Sequence, residues 1–147
     1  MRLTTQRIGT GHFETPQQVV SWMGAMQAQD LNMAKWAIGL RMSKGTEHLV
    51  DAAIRSGKII RTHVLRPTWH FVSPTDIHWM IDLSAARIKA QIKTRQKQLG
   101  LTPALMKKAN ALFEKSLSKN NHLTRDELIS VLNKSKIPTN DSRASHI

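Results

Sequence analysis

The chain has 147 residues, 40% of them hydrophobic, enough for one ordinary domain or two small ones around a packed core, so disorder is not expected. It has no cysteine, which excludes a disulfide framework and a thiolate metal site, and its apolar runs fall far short of the ~18 residues that suggest a membrane span. Lysine and arginine number 22 against 10 acids, and a net charge of +12 attracts polyanions, so nucleic acid is the leading partner.

Thr15-Pro16-Gln17-Gln18 predicts a helix start: Thr15 can cap free amides, Pro16 suits the first turn and Gln18 stands where a capping box places it. Val19, Val20, Met23 and Met26 follow as its apolar face. A second helix is predicted from about Asn32 to Arg41, burying Met33, Trp36, Ala37 and Leu40, with Gln27 to Asp30 as the joint and Asp30 or Asn32 as cap. Thr46-Glu47 opens a third helix with Leu49, Val50, Ala53 and Ile54 inward, and Gly57 stands where a left-handed stop belongs. The period then changes. Ile59 to Leu65 and Thr68 to Val72 read as two strands of a β-hairpin interrupted by Arg66-Pro67. Three helices and a hairpin is the order of a winged helix, whose third helix can enter the major groove.

Ser73-Pro74-Thr75-Asp76 starts a longer helix with Ile77, Met80, Ile81, Ile88 and Ile92 on one stripe, ended by Gly100. Thr102-Pro103 starts another, carrying Leu105, Ala109, Leu112, Phe113 and Leu117 inward as far as Asn120-Asn121. Between Arg87 and Lys119 stand nine basic residues and one acid, Glu114, which makes this segment the candidate backbone-contacting surface; its plainer reading is a solvated helix face. Leu123-Thr124-Arg125-Asp126-Glu127-Leu128 combines a capping box with a hydrophobic staple before Ile129, Val131 and Leu132. Asp141-Ser142 can cap a following helix, but the sequence ends at Ile147, so this last module reads as cut short.

The blocks Met26-Gln27-Ala28-Gln29-Asp30, Trp36-Ala37-Ile38-Gly39-Leu40-Arg41 and Thr62-His63-Val64-Leu65-Arg66-Pro67-Thr68-Trp69-His70-Phe71-Val72 resemble the winged-helix DNA-binding proteins that include the AlkZ and YcaQ glycosylases. The similarity continues through Asp76-Ile77-His78-Trp79 and the box at Leu123 to Leu128, and so covers essentially the whole chain. It implies a mainly α fold with a small β-hairpin: a winged-helix module over residues 1–73, a basic helical spacer over 74–120 and the start of a second winged-helix module over 121–147. It further implies that Gln27 and Gln29 form the catalytic motif of a monofunctional DNA N-glycosylase. The chemistry is compatible, because an N7-alkylated purine is already a cationic leaving group and amide oxygens can orient a water toward an oxocarbenium-like sugar. From the residues alone, the two glutamines are polar groups at a helix end, bonding free carbonyls and one another, and Asp30 either caps the next helix or places negative charge near the developing cation.

For DNA contact the expected residues are Arg61, His63, Arg66 and His70 on the hairpin and Arg87, Lys89, Lys93, Arg95 and Lys97 on the long helix. A metal site is not expected, since the histidines have no acidic partner at ligand spacing, and no cofactor fingerprint or phosphate-cradling glycine loop occurs. Trp22, Trp36, Trp69 and Trp79 read chiefly as core, which makes RNA recognition by stacking the weaker reading. The expected partner is double-stranded DNA in the cytoplasm, at the nucleoid, with a homo-oligomer or further C-terminal modules completing the DNA-binding channel that the resemblance implies. The alternative is a non-catalytic winged-helix transcriptional regulator.

Overall fold

A computed structural model of the chain describes residues 2–9, 11–65, 68–119 and 122–147. Seven α-helices and three strands lie among them, so the protein is mainly helical with a small sheet. Its contacts gather into two units, Met1–Ile88 and Lys89–Ile147.

The first unit opens with a short helix α1 (Arg2–Thr5), followed by α2 (Pro16–Met23). At the start of α2 the Gln18 side chain turns back to accept the amides of Glu14 and Thr15 at 3.0 and 3.1 Å, as the expected capping box requires of it. Gly24, at φ 72°, turns the chain out of α2 where a side chain would be strained. The segment expected to be a plain joint then becomes a strand, β1 (Ala25–Gln27). Helix α3 (Leu31–Gly39) starts on Asp30, whose carboxylate accepts the Met33 amide at 3.0 Å. Helix α4 (Glu47–Arg55) starts on Thr46, and the hairpin strands β2 (Ile60–His63) and β3 (Trp69–Val72) follow.

The sheet is antiparallel in the order β1-β3-β2, with Gln27 opposite His70, Met26 opposite Phe71, Arg61 opposite Phe71 and His63 opposite Trp69. A helix, a strand, two helices and two strands in this arrangement are consistent with a winged helix. Because side chains alternate along a strand, the sheet can serve two packing faces. Phe71, Met26 and Ile59 join Val19, Val20, Ile38, Val50 and Ala53 in the main core, whereas Val64 and Val72 pack with Met80 at the start of α5 (Ile77–Gln98).

The inward face of α3 departs from the expected stripe. Ala34 and Ile38 are buried, while Met33 is 58% and Trp36 61% exposed. The helix begins at Leu31 and is seated by small Ala34 against its neighbours, a phase that turns Met33 and Trp36 outward. The tryptophans as a group are exposed rather than core: Trp22 lies against Phe13 with the Arg7 guanidinium over it, and Trp79 donates its indole N–H to Asp76 at 3.0 Å. On α5 the buried positions are Met80 and Ser84, and Ile81 of the expected stripe is exposed.

The second unit holds the C-terminal part of α5, then α6 (Pro103–Leu117), α7 (Arg125–Lys134) and a 3-10 turn at Arg143–Ser145. Its core is Ala109, Leu132 and Ile137, with Leu105, Leu112, Phe113 and Ile147 against them; Leu117 stays exposed. The capping box at Thr124 is complete: Thr124 Oγ1 accepts the Glu127 amide at 3.3 Å and Glu127 Oε2 accepts the Thr124 amide at 2.7 Å. That amide, and after it the Thr124 hydroxyl, hold the Glu127 carboxyl below its ordinary pKa.

Candidate active site and nucleic-acid interface

Gln27 closes β1 at an edge of the sheet, with its side chain exposed and without a hydrogen bond among the described residues. Pairing with His70 puts the two side chains on the same sheet face. Beyond Gln27 the chain stays tied to β3: the Ala28 amide donates to Trp69 O at 2.7 Å, and Gln29 Oε1 accepts the Trp69 amide at 2.8 Å. The two glutamines therefore differ. Gln29 has committed its side-chain oxygen to the sheet and keeps its NH2 group, while Gln27 presents a whole amide to solvent. They do not bond to one another, and Asp30, next in the chain, caps α3.

Arg61 reaches across the central strand toward this segment. Its Nε and Nη2 donate to Ala28 O at 3.0 and 2.9 Å, Nη2 also donates to Gln29 O at 3.2 Å, and the guanidinium lies 4.5 Å from the centre of the Trp69 ring. His63, opposite Trp69, is exposed and its ring centre is 4.0 Å from that of Trp69. His70 is only 7% exposed, and its Nδ1 lies 2.8 Å from Thr68 O. Arg66 lies outside the described residues. The sequence pattern suggested neither the contact of Arg61 with the Gln27-to-Gln29 segment nor the use of the Gln29 side chain, because both depend on which strands become neighbours.

Arg87, Lys89, Lys93, Arg95 and Lys97 are all exposed on α5. Lys89, Lys93 and Lys97 are four residues apart, hence on one helix face. Within the second unit they line an open groove of about 1060 Å³ with Lys107 of α6, over Leu101, Pro103, Met106 and Ala111; Glu114 is its acid. Lys107 belongs to the basic segment from Arg87 to Lys119 but is not among the residues expected from the sequence to contact DNA; the packing of α6 brings it to this row. Such a row of exposed ammonium groups can meet a polyanion's charge and carries no means of reading bases. Lys35 sits at a different point of the first unit, bonded to Asp51 at 2.7 Å and Glu47 at 3.1 Å. Its pKa is raised by those bonds, the Asp51 one first, while Lys35 holds the Asp51 carboxyl below its ordinary value. That lysine is engaged within the protein. No group of three or more His, Asp or Glu side chains among the described residues is placed to hold a metal, and no helix among them is long and apolar enough to cross a membrane.

These features define a class: a basic, mainly helical protein whose small sheet presents an amide pair at its edge. The chain belongs to the AlkZ-like DNA glycosylase family, whose model, described as DNA glycosylase AlkZ-like, matches residues 20–146. Among solved structures it is similar to the Streptomyces sahachiroi DNA glycosylase AlkZ, with a TM-score of 0.72 and 20% identity over 98% of this chain, a likeness that shows the shared fold. The chain spans 40% of the length of that protein. No curated protein matches it.

Proposed function

We propose that the chain binds duplex DNA as the winged-helix module (1–73), basic spacer (74–120) and opening second module (121–147) of an AlkZ-type base-excision protein, working in the cytoplasm at the nucleoid. The observation that carries this reading is the edge amide: Gln27 is exposed on a segment that Gln29, Trp69 and Arg61 hold in place. The lysine row of the groove and the exposed His63 and Arg87 supply the backbone contacts.

The proposed reaction is hydrolysis of the N-glycosidic bond of an N7-alkylated purine turned out of the duplex toward Gln27 and Gln29. The C1′–N9 bond breaks, and its electron pair leaves with the base, cancelling the positive charge of the alkylated ring. The Gln27 amide oxygen accepts a hydrogen bond from a water and orients it toward C1′; the water oxygen bonds there and its proton passes to solvent. An amide is too weak a base to take that proton, which is lost to solvent once the water has bonded to the sugar cation; because the base departs neutral, no general acid is needed for the leaving group. The protein's contribution is placement and electrostatic support of the sugar cation.

The test is incubation of the chain with duplex containing N7-methylguanine, followed by measurement of abasic sites. Release above that of a Gln27→Ala variant supports excision; release no greater than that variant's removes the enzymatic claim.

A further inference from the structure

The sequence places Arg61 among cations free to meet phosphate, but its surroundings give it a different task. An arginine grips a phosphate or carboxylate with a two-donor edge, and in Arg61 the Nε and Nη2 edge is already filled by Ala28 O at 3.0 and 2.9 Å. Nη2 extends to Gln29 O at 3.2 Å. The contact is long-range: Arg61 belongs to β2, the carbonyls follow β1, and β3 lies between them. The Trp69 ring of β3 fills that interval, 4.5 Å below the guanidinium, and the same residue's amide holds the Gln29 side chain while its carbonyl accepts the Ala28 amide. Three carbonyls, one side-chain oxygen, two amides and one ring thus form a closed circuit around the residues immediately after Gln27.

We propose that Arg61 is a positioning residue for the Gln27-Ala28-Gln29 motif, fixing its backbone through Ala28 O and Gln29 O against Trp69, and that it is not a phosphate ligand. The paired register of β1 and β3 ends at Gln27 and His70; past it the Ala28 amide still donates to Trp69 O, but the carbonyls of Ala28 and Gln29 have no strand partner. Arg61 supplies the missing donors, and its planar fork does so in a geometry that a lysine ammonium cannot copy. Loss of the fork frees the motif to shift, and a displacement of about 1 Å in a reacting group costs on the order of 100-fold in rate.

The proposal rests on the excision reading for one arm of its test and is independent of it for the other. Arg61→Lys and Arg61→Gln are compared with the unaltered chain in single-turnover release of N7-methylguanine at saturating protein, and in the affinity for undamaged duplex across a salt series. The expected result is a release rate lower by about 100-fold in both variants, with Lys giving no rescue, at unchanged duplex affinity and unchanged salt slope. A phosphate ligand behaves oppositely: Arg61→Gln lowers the salt slope by about 0.9 and leaves the saturated rate intact, and that result, or full rescue by Lys, overturns the proposal. If the unaltered chain releases no base, the excision reading fails by itself, and the salt slope and hydrogen exchange then decide for Arg61. Unchanged slope with faster exchange at the Ala28 and Trp69 amides supports the positioning role; a reduced slope with unchanged exchange overturns it.

Discussion

Two glutamines separated by one alanine have acquired different environments, and the difference is set by single bonds. Gln29 Oε1 is fixed on the Trp69 amide, so Gln29→Ala loosens the segment as well as removing an amide, whereas Gln27→Ala removes an exposed group that nothing else leans on. Thermal melting followed by tryptophan fluorescence is therefore expected to be lowered by Gln29→Ala and unmoved by Gln27→Ala. The fluorescence reads the first unit alone, because Trp22, Trp36, Trp69 and Trp79 all belong to it. In the same assay Phe71→Ala, which empties a fully buried ring site, is expected to cost about 3–5 kcal/mol, and denaturant midpoints check it. The amide pair and its neighbour Asp30 were legible as residues; that Asp30 caps α3 was one of two readings the sequence left open, and its bond to Met33 selects it.

At the scale of elements, the start of α7 was legible because a capping box is a local device: Thr124 and Glu127 meet whatever the rest of the chain does. Thr124→Ala is expected to destabilise the second unit by about 1 kcal/mol, measurable by circular dichroism. The Glu127 carboxyl has a depressed pKa in the folded chain, so its contribution is present above the ordinary glutamate pKa and is lost as pH falls through the lower folded value. Acid titration of the unaltered chain should therefore unfold the second unit more steeply than titration of Glu127→Gln. The joint of α3 and α4 obeys a different constraint. A Cβ on Gly45 would collide with the backbone of Gly39, so Gly45→Ala is expected to lower the melting temperature of the first unit even though alanine is ordinarily the better-tolerated residue. The strand β1 was not legible. Three residues are too short for a period to show, and Ala25–Gln27 becomes a strand only because β3 offers it a ladder.

At the scale of the whole molecule, the charge of +12 predicts DNA affinity that falls steeply with salt, each neutralised phosphate contributing about 0.9 to the slope. Reversing Lys89, Lys93 and Lys97 to glutamate is expected to lower that slope by close to three contacts' worth, with the fold retained because all three are exposed; filter binding across a salt series checks it. The sequence by itself determined the helical class, the hairpin, the basic segment and the starts of α2, α4, α6 and α7, since caps, turns and charge are fixed by residues within a few positions of one another. Only the tertiary structure decided which face α3 buries, that the tryptophans stand at the surface, that Lys107 joins the lysine row, and that Arg61 meets the carbonyls of Ala28 and Gln29. Each of these depends on the neighbour that a residue acquires from a distant part of the chain, and a linear pattern carries the residue's chemistry without naming that neighbour.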